Sequence, residues 1–173
     1  AAAPAPPTAP CPAPRAFALQ FGSGADDVPY GVAVHGSSSV YVVGSTSGAL
    51  FGQTNQGDVD YFLVKYDAAG QVLWARQDGT ASGDAATAVA VGADGAAYVA
   101  GWTKASLARP LSGPSDYWLA KYSEGGSREW LVQGGGDKDD WPTGTIGLDG
   151  AGNVYVGGTR SNAAEYWLPQ HGA

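Results

Sequence analysis

The chain has 173 residues, a formal net charge of −7 from nine basic and sixteen acidic side chains, and 44% hydrophobic residues. Lysines and arginines scattered singly on an acidic chain argue against nucleic-acid and anionic-membrane partners, since both draw affinity from clustered cations, and no apolar run approaches the about 20 residues of a membrane-spanning helix. The single cysteine, Cys11, excludes an internal disulfide.

Residues 1–14 hold six of the eleven prolines among alanines, a composition that cannot bury a core and predicts a disordered, extended tether. The Ala-rich start resembles a mature N-terminus left by signal-peptide cleavage, so the expected location is secreted, periplasmic or at the cell surface. Cys11 lies in this tether, either as an inert exposed thiol or as an intermolecular bridge or anchor point; Thr8-Ala9-Pro10 before it is no lipobox.

Residues 15–22 are predicted as a strand. Phe17-Ala18-Leu19-Gln20, followed by Gly22, aligns with Trp74-Ala75-Arg76-Gln77 before Gly79 and with Trp130-Leu131-Val132-Gln133 before Gly135. Residues 28–79 follow as one unit: an apolar strand around Val32-Ala33-Val34, a polar turn, the strand Val40-Tyr41-Val42-Val43-Gly44, a loop, the strand Asp60 to Tyr66, and the strand bearing Trp74. Residues 85–135 repeat the order with Val89-Ala90-Val91, Tyr98, Asp116 to Tyr122 and Trp130, and residues 141–173 repeat it with Ile146-Gly147-Leu148, Tyr155 and Glu165-Tyr166-Trp167-Leu168. Tyr41, Tyr98 and Tyr155 are spaced by 57 residues twice over.

A period of this size, built of short β-rich segments and glycine-bearing hairpin turns, predicts an all-β chain of three β-propeller blades, each of four antiparallel strands. The Val-Ala-Val strand would be innermost and the Trp-bearing strand outermost. Propellers close with four or more blades. The ring is therefore expected to be completed by self-association, a head-to-tail dimer giving six blades with the strand at 15–22 finishing the partner's last blade, or by the rest of a longer propeller.

The run Gly22-Ser23-Gly24-Ala25-Asp26-Asp27, Tyr30-Gly31-Val32-Ala33-Val34, Tyr41-Val42-Val43-Gly44-Ser45-Thr46 and Asp60 to Trp74 resembles the SBBP-type bacterial β-propeller repeat, a likeness covering residues 17–168. The third unit departs from it by lacking the lysine of the third strand. The resemblance implies a fold of bacterial, usually exported, surface or multidomain proteins and says little about mechanism.

Asp27, Asp84 and Asp140 occupy the same loop in each unit, and a residue that recurs in every blade serves the blade, accepting backbone N–H groups to fix a turn. Phe17, Trp74 and Trp130 read as packing on outermost strands, and Lys65 and Lys121 as framework charges. Candidate ligand-binding residues are those that break the repeat: Trp102, Trp141 beside the acidic loop, and Asp137 and Asp139 within it. Aromatic rings on loops at a propeller mouth can stack on sugars or anchor a peptide. The acidic loop lacks the spaced ligand set of a calcium loop, and no metal or cofactor is expected. With only His35 and His171 and no nucleophile motif, no enzyme is predicted. Two functions follow: an exported, non-enzymatic protein-interaction scaffold at the cell envelope, or a glycan-binding, lectin-like module.

Overall fold

Short apolar runs broken by turns that only glycine fits comfortably fold here as hairpins. Gly95 and Gly152, with φ of 78° and 84°, sit in the turns between the first and second strands of their units, in the left-handed region that costs other residues energy. The structure, a computed structural model, describes residues 18–160 in full and residues 163–167 as backbone. Among the described residues eleven strands form: β1 (Asp27–His35), β2 (Ser39–Thr46), β3 (Asp60–Asp67), β4 (Val72–Asp78), β5 (Asp84–Val91), β6 (Ala97–Thr103), β7 (Asp116–Tyr122), β8 (Arg128–Gly134), β9 (Asp140–Leu148), β10 (Val154–Arg160) and β11 (Ala163–Trp167).

They make two four-stranded sheets, β1-β2-β3-β4 and β5-β6-β7-β8, and a three-stranded sheet, β9-β10-β11, in simple meander order with antiparallel pairing. The all-β architecture and the four-stranded antiparallel units agree with the expectation, and the described residues contain no helix. The first strands of successive sheets are neighbours, β1 against β5 and β5 against β9.

Each of these first strands carries a β-bulge at the same place. The register skips Tyr30 in β1 and Thr87 in β5, and in β9 it skips Thr143 and Gly144. The extra residue leaves the ladder, bends the strand and re-aims a side chain.

Two cores lie between sheets, as expected for blades covered on both faces. Tyr41, Val43, Tyr61 and Leu63 of the first sheet bury against Ala86, Val99, Trp118 and Tyr122 of the second; Ala88, Ala100 and Leu119 of the second bury against Val154 and Val156 of the third. A further cluster, Leu50, Phe62, Val64, Tyr66 and Ala75, lies on the far face of the first sheet.

Over its described part, residues 18–22, the segment expected as a strand at 15–22 pairs with no sheet of this single chain. The edge it was to fill, β11, has no fourth neighbour among the described residues. Phe21 instead places its ring 5.5 Å from Phe51, 5.7 Å from Phe62 and 6.0 Å from Tyr66, covering part of the apolar far face of the first sheet. Phe17, the Pro/Ala-rich segment 1–14 with Cys11, Leu168 and His171 lie outside the described residues.

Candidate functional site

The recurring aspartates share one local geometry. Asp27, Asp84 and Asp140 each accept the backbone N–H of the residue four positions earlier, Ser23, Thr80 and Gly136, at 2.6, 2.7 and 2.7 Å. Asp60 and Asp116 at the starts of β3 and β7 do the same with Gln56 and Ser112, at 2.8 and 3.1 Å. Each of these two also accepts the side-chain amide of a glutamine on the outermost strand, Gln77 at 2.9 Å and Gln133 at 3.0 Å. A carboxylate aimed at a backbone N–H nearby closes a loop without secondary structure, so these five acids hold the framework.

Their packing explains two glycines. A Cβ on Gly79 would stand 2.5 Å from Asp60 Oδ1 and 3.1 Å from Asp84 Oδ2, and one on Gly135 would stand 2.4 Å from Asp116 Oδ1 and 2.9 Å from Asp140 Oδ2. Each glycine is the gap through which one blade's acid meets the next blade's acid. Asp60 Oδ1 is buried without a hydrogen-bond partner. Burial pushes the Asp84 carboxyl above its usual range, and nearby Asp60 adds to this, against the hydrogen bonds of Thr103 and Thr80 that pull it down.

The recurring tyrosines and tryptophans form seams. Tyr41 Oη donates 2.7 Å to the carbonyl of Gly95 in the next blade, and Trp74 Nε1 donates 3.0 Å to the carbonyl of Glu124. Lys65 reaches the Glu124 carboxylate at 3.2 Å and lies 5.2 Å from the Tyr41 ring. Burial would lower its pKa, but Tyr41 and Glu124 outweigh that and hold it above the ordinary lysine value. Tyr98 pairs with Trp130 at 6.2 Å and with Lys121 at 5.6 Å. Tyr155 takes a different partner: it is 43% exposed and donates to Asp149 Oδ2 of its own hairpin at 2.9 Å. Asp149 is drawn down to about 2, first by the Asn153 side chain.

The acidic loop does not gather its carboxylates. Asp137 pairs with Arg160 at 2.8 Å, Asp139 accepts the Ser115 hydroxyl at 2.8 Å, and Asp140 turns to Gly136 N. Among the described residues no three His, Cys, Asp or Glu side chains cluster as a metal site would require. Arg160 stands opposite Asp140 where Thr46 and Thr103 stand opposite Asp27 and Asp84. The third blade thus replaces a hydroxyl with a guanidinium that serves Asp137 as well.

The two non-repeating tryptophans come together. Trp102, near the end of β6, and Trp141, at the start of β9, stack with ring centroids 5.7 Å apart and planes at 21°. Trp141 Nε1 donates to Ser115 Oγ, which in turn donates to Asp139, so the indole is held in one orientation. Lys104 Nζ sits 5.6 Å from the Trp102 ring. The pair lines a cleft of about 350 Å³ with Tyr30, Thr87, Pro142, Thr143, Gly144 and Thr159. All three bulges open onto it. Of the four candidate ligand-binding residues, the structure brings Trp102 and Trp141 to the cleft, puts Asp139 behind it as an anchor, and sets Asp137 apart on Arg160. Tyr30, Thr87 and Ser115 were not singled out in the sequence, since a bulge is a property of pairing and leaves no composition signal.

Residues 16–52 match the SBBP family, described as a β-propeller repeat. The chain is also 30% identical, over an aligned stretch spanning 69% of its length, to the protein named regulatory protein FlaEY of Caulobacter vibrioides. It covers 14% of that relative's length. The repeat match agrees with the four-stranded antiparallel units described above.

Proposed function

We propose that this chain is a non-enzymatic propeller scaffold, exported to the cell envelope, that holds a protein partner. One observation carries the reading: the recurring groups able to do chemistry are spent on the frame, while apolar sheet surface stays open. Asp27, Asp60, Asp84, Asp116 and Asp140 close loops, and Lys65 and Lys121 pair with Glu124 and Glu129. Val32 and Val34 of β1, each 67% exposed, extend the far face of the first sheet beyond the reach of Phe21. Exposed apolar area of this kind marks an interaction surface.

Further blades complete the ring, from a second copy joined head to tail or from a longer propeller. The seam between the first two blades supplies the pattern. Tyr41 crosses it to Gly95, and Tyr155, in the matching position of the third unit, is exposed and bonds to Asp149 of its own hairpin. Light scattering tests the joining: a mass near twice that of the chain, halved by Val32→Asp with Val34→Asp, supports a dimer, and an unchanged monomer removes it. Affinity capture from envelope fractions tests the scaffold. A stoichiometric protein other than a second copy of the chain, retained by the native chain, supports it, and the absence of such a protein counts against it.

A further inference from the structure

We infer that the cleft between Tyr30 and the stacked Trp102–Trp141 pair is a binding site for an uncharged saccharide. The site goes beyond the scaffold reading and does not depend on it. Its walls are aromatic. Trp102 covers one face of the Trp141 indole, yet 43% of Trp141 and 51% of Tyr30 reach solvent, so flat apolar faces are available from two different blades. Sugar rings present C–H faces to such planes, and an indole offers large contact area at low conformational cost.

The rest of the lining sets the ligand's chemistry. Thr87, Thr143 and Thr159 bring hydroxyl groups, and among the described residues no carboxylate and no cationic side chain lines the cleft. A charged ligand would be desolvated there without a counter-ion. A neutral ligand rich in hydroxyls finds both stacking planes and hydrogen-bonding partners. The volume, about 350 Å³, lies at the small end of the range for ligand clefts, about 300–1,000 Å³. It suits a ring and its substituents better than a folded peptide element.

The cleft is also built in advance. Trp141 is held through Ser115 by Asp139, and Tyr30, Thr87 and the Thr143-Gly144 pair are delivered by bulges at equivalent points of β1, β5 and β9. Bulges that re-aim side chains recur beside functional sites, and a fixed aromatic wall spares the ligand the cost of ordering it.

Intrinsic tryptophan fluorescence and calorimetry, with a panel of uncharged hexose and N-acetylhexosamine oligosaccharides, test the site on the native chain. Saturable binding by at least one of them is expected, weakened about tenfold or more by Trp141→Ala and also reduced by Tyr30→Ala, as loss of a stacking plane predicts. Thermal melts of both variants separate loss of the site from loss of the fold, and Tyr30→Ala, at a half-exposed bulge, carries the test if Trp141→Ala fails to fold. No saturable binding by about 10 mM sugar, equal affinity in native chain and folded variants, or Trp141-dependent capture of a peptide from a random library in place of sugar would each overturn the inference.

Discussion

The hydroxyl of Tyr41 donates a buried 2.7 Å hydrogen bond to the carbonyl of Gly95, fastening the second strand of one blade to the hairpin turn of the next. The same residue type in the third unit, Tyr155, bonds to Asp149 at the surface. Tyr41→Phe strands a buried carbonyl and is expected to cost about 1–2 kcal/mol in urea unfolding. Tyr155→Phe should fall within about 0.5 kcal/mol of the native chain.

Gly79 and Gly135 are predicted to be intolerant of a methyl group. Each added Cβ would meet a buried carboxylate oxygen at 2.5 or 2.4 Å, and the acids are held by their loop hydrogen bonds and cannot give way. Overpacking of this kind costs about 1–3 kcal/mol, and Gly79→Ala and Gly135→Ala should lower Tm accordingly. Gly150→Ala, where a Cβ meets nothing within 4 Å, should not.

Acid pH acts on two carboxyls in opposite directions. Asp84 is raised in the folded state from 3.8, so the folded chain binds its proton more tightly than the unfolded chain. Its ionisation therefore removes stability as pH rises above 3.8 and through the raised value, and mild acidification restores it. Asp149 is lowered from 3.8 to about 2; its contribution is present above 3.8 and disappears as pH falls toward about 2. Chemical unfolding of Asp84→Asn between about pH 4 and 7 should show a flatter pH dependence than the native chain, and Asp149→Asn should be less stable than the native chain above 3.8, the difference closing as pH falls toward about 2.

Phe21 is predicted to anchor the segment before β1. Its contacts with Phe51, Phe62 and Tyr66 span 5.5 to 6.0 Å between ring centroids. Phe21→Ala should expose this face, raise binding of a hydrophobic dye and cost about 1–2 kcal/mol, the value of a partly buried aromatic side chain.

The strand pattern was legible because it rests on local signals repeated at a fixed interval: Tyr41, Tyr98 and Tyr155 each fall on the second strand of a sheet, as their shared surroundings predict. Phe17-Ala18-Leu19-Gln20 matches Trp74-Ala75-Arg76-Gln77 in sequence, but a strand forms only where an edge is offered, and sequence likeness does not supply one. The approach of Trp102 to Trp141 was hidden for a related reason. They lie 39 residues apart on different blades, and their meeting depends on how two sheets pack. The bulges at Tyr30 and Thr87 were invisible because an unpaired residue inside a strand looks like any other.

The bulge at the head of each inner strand has a consequence for how such a chain can change. The residue there takes no part in the ladder, so it can be exchanged with little disturbance to its sheet. Tyr30, Thr87 and Thr143 are thus three adjustable fittings on a constant frame, while Gly144, with φ of 83°, is kept to glycine by its backbone. Selectivity can be rewritten at those points, one blade at a time, while the fold that carries them is inherited unaltered.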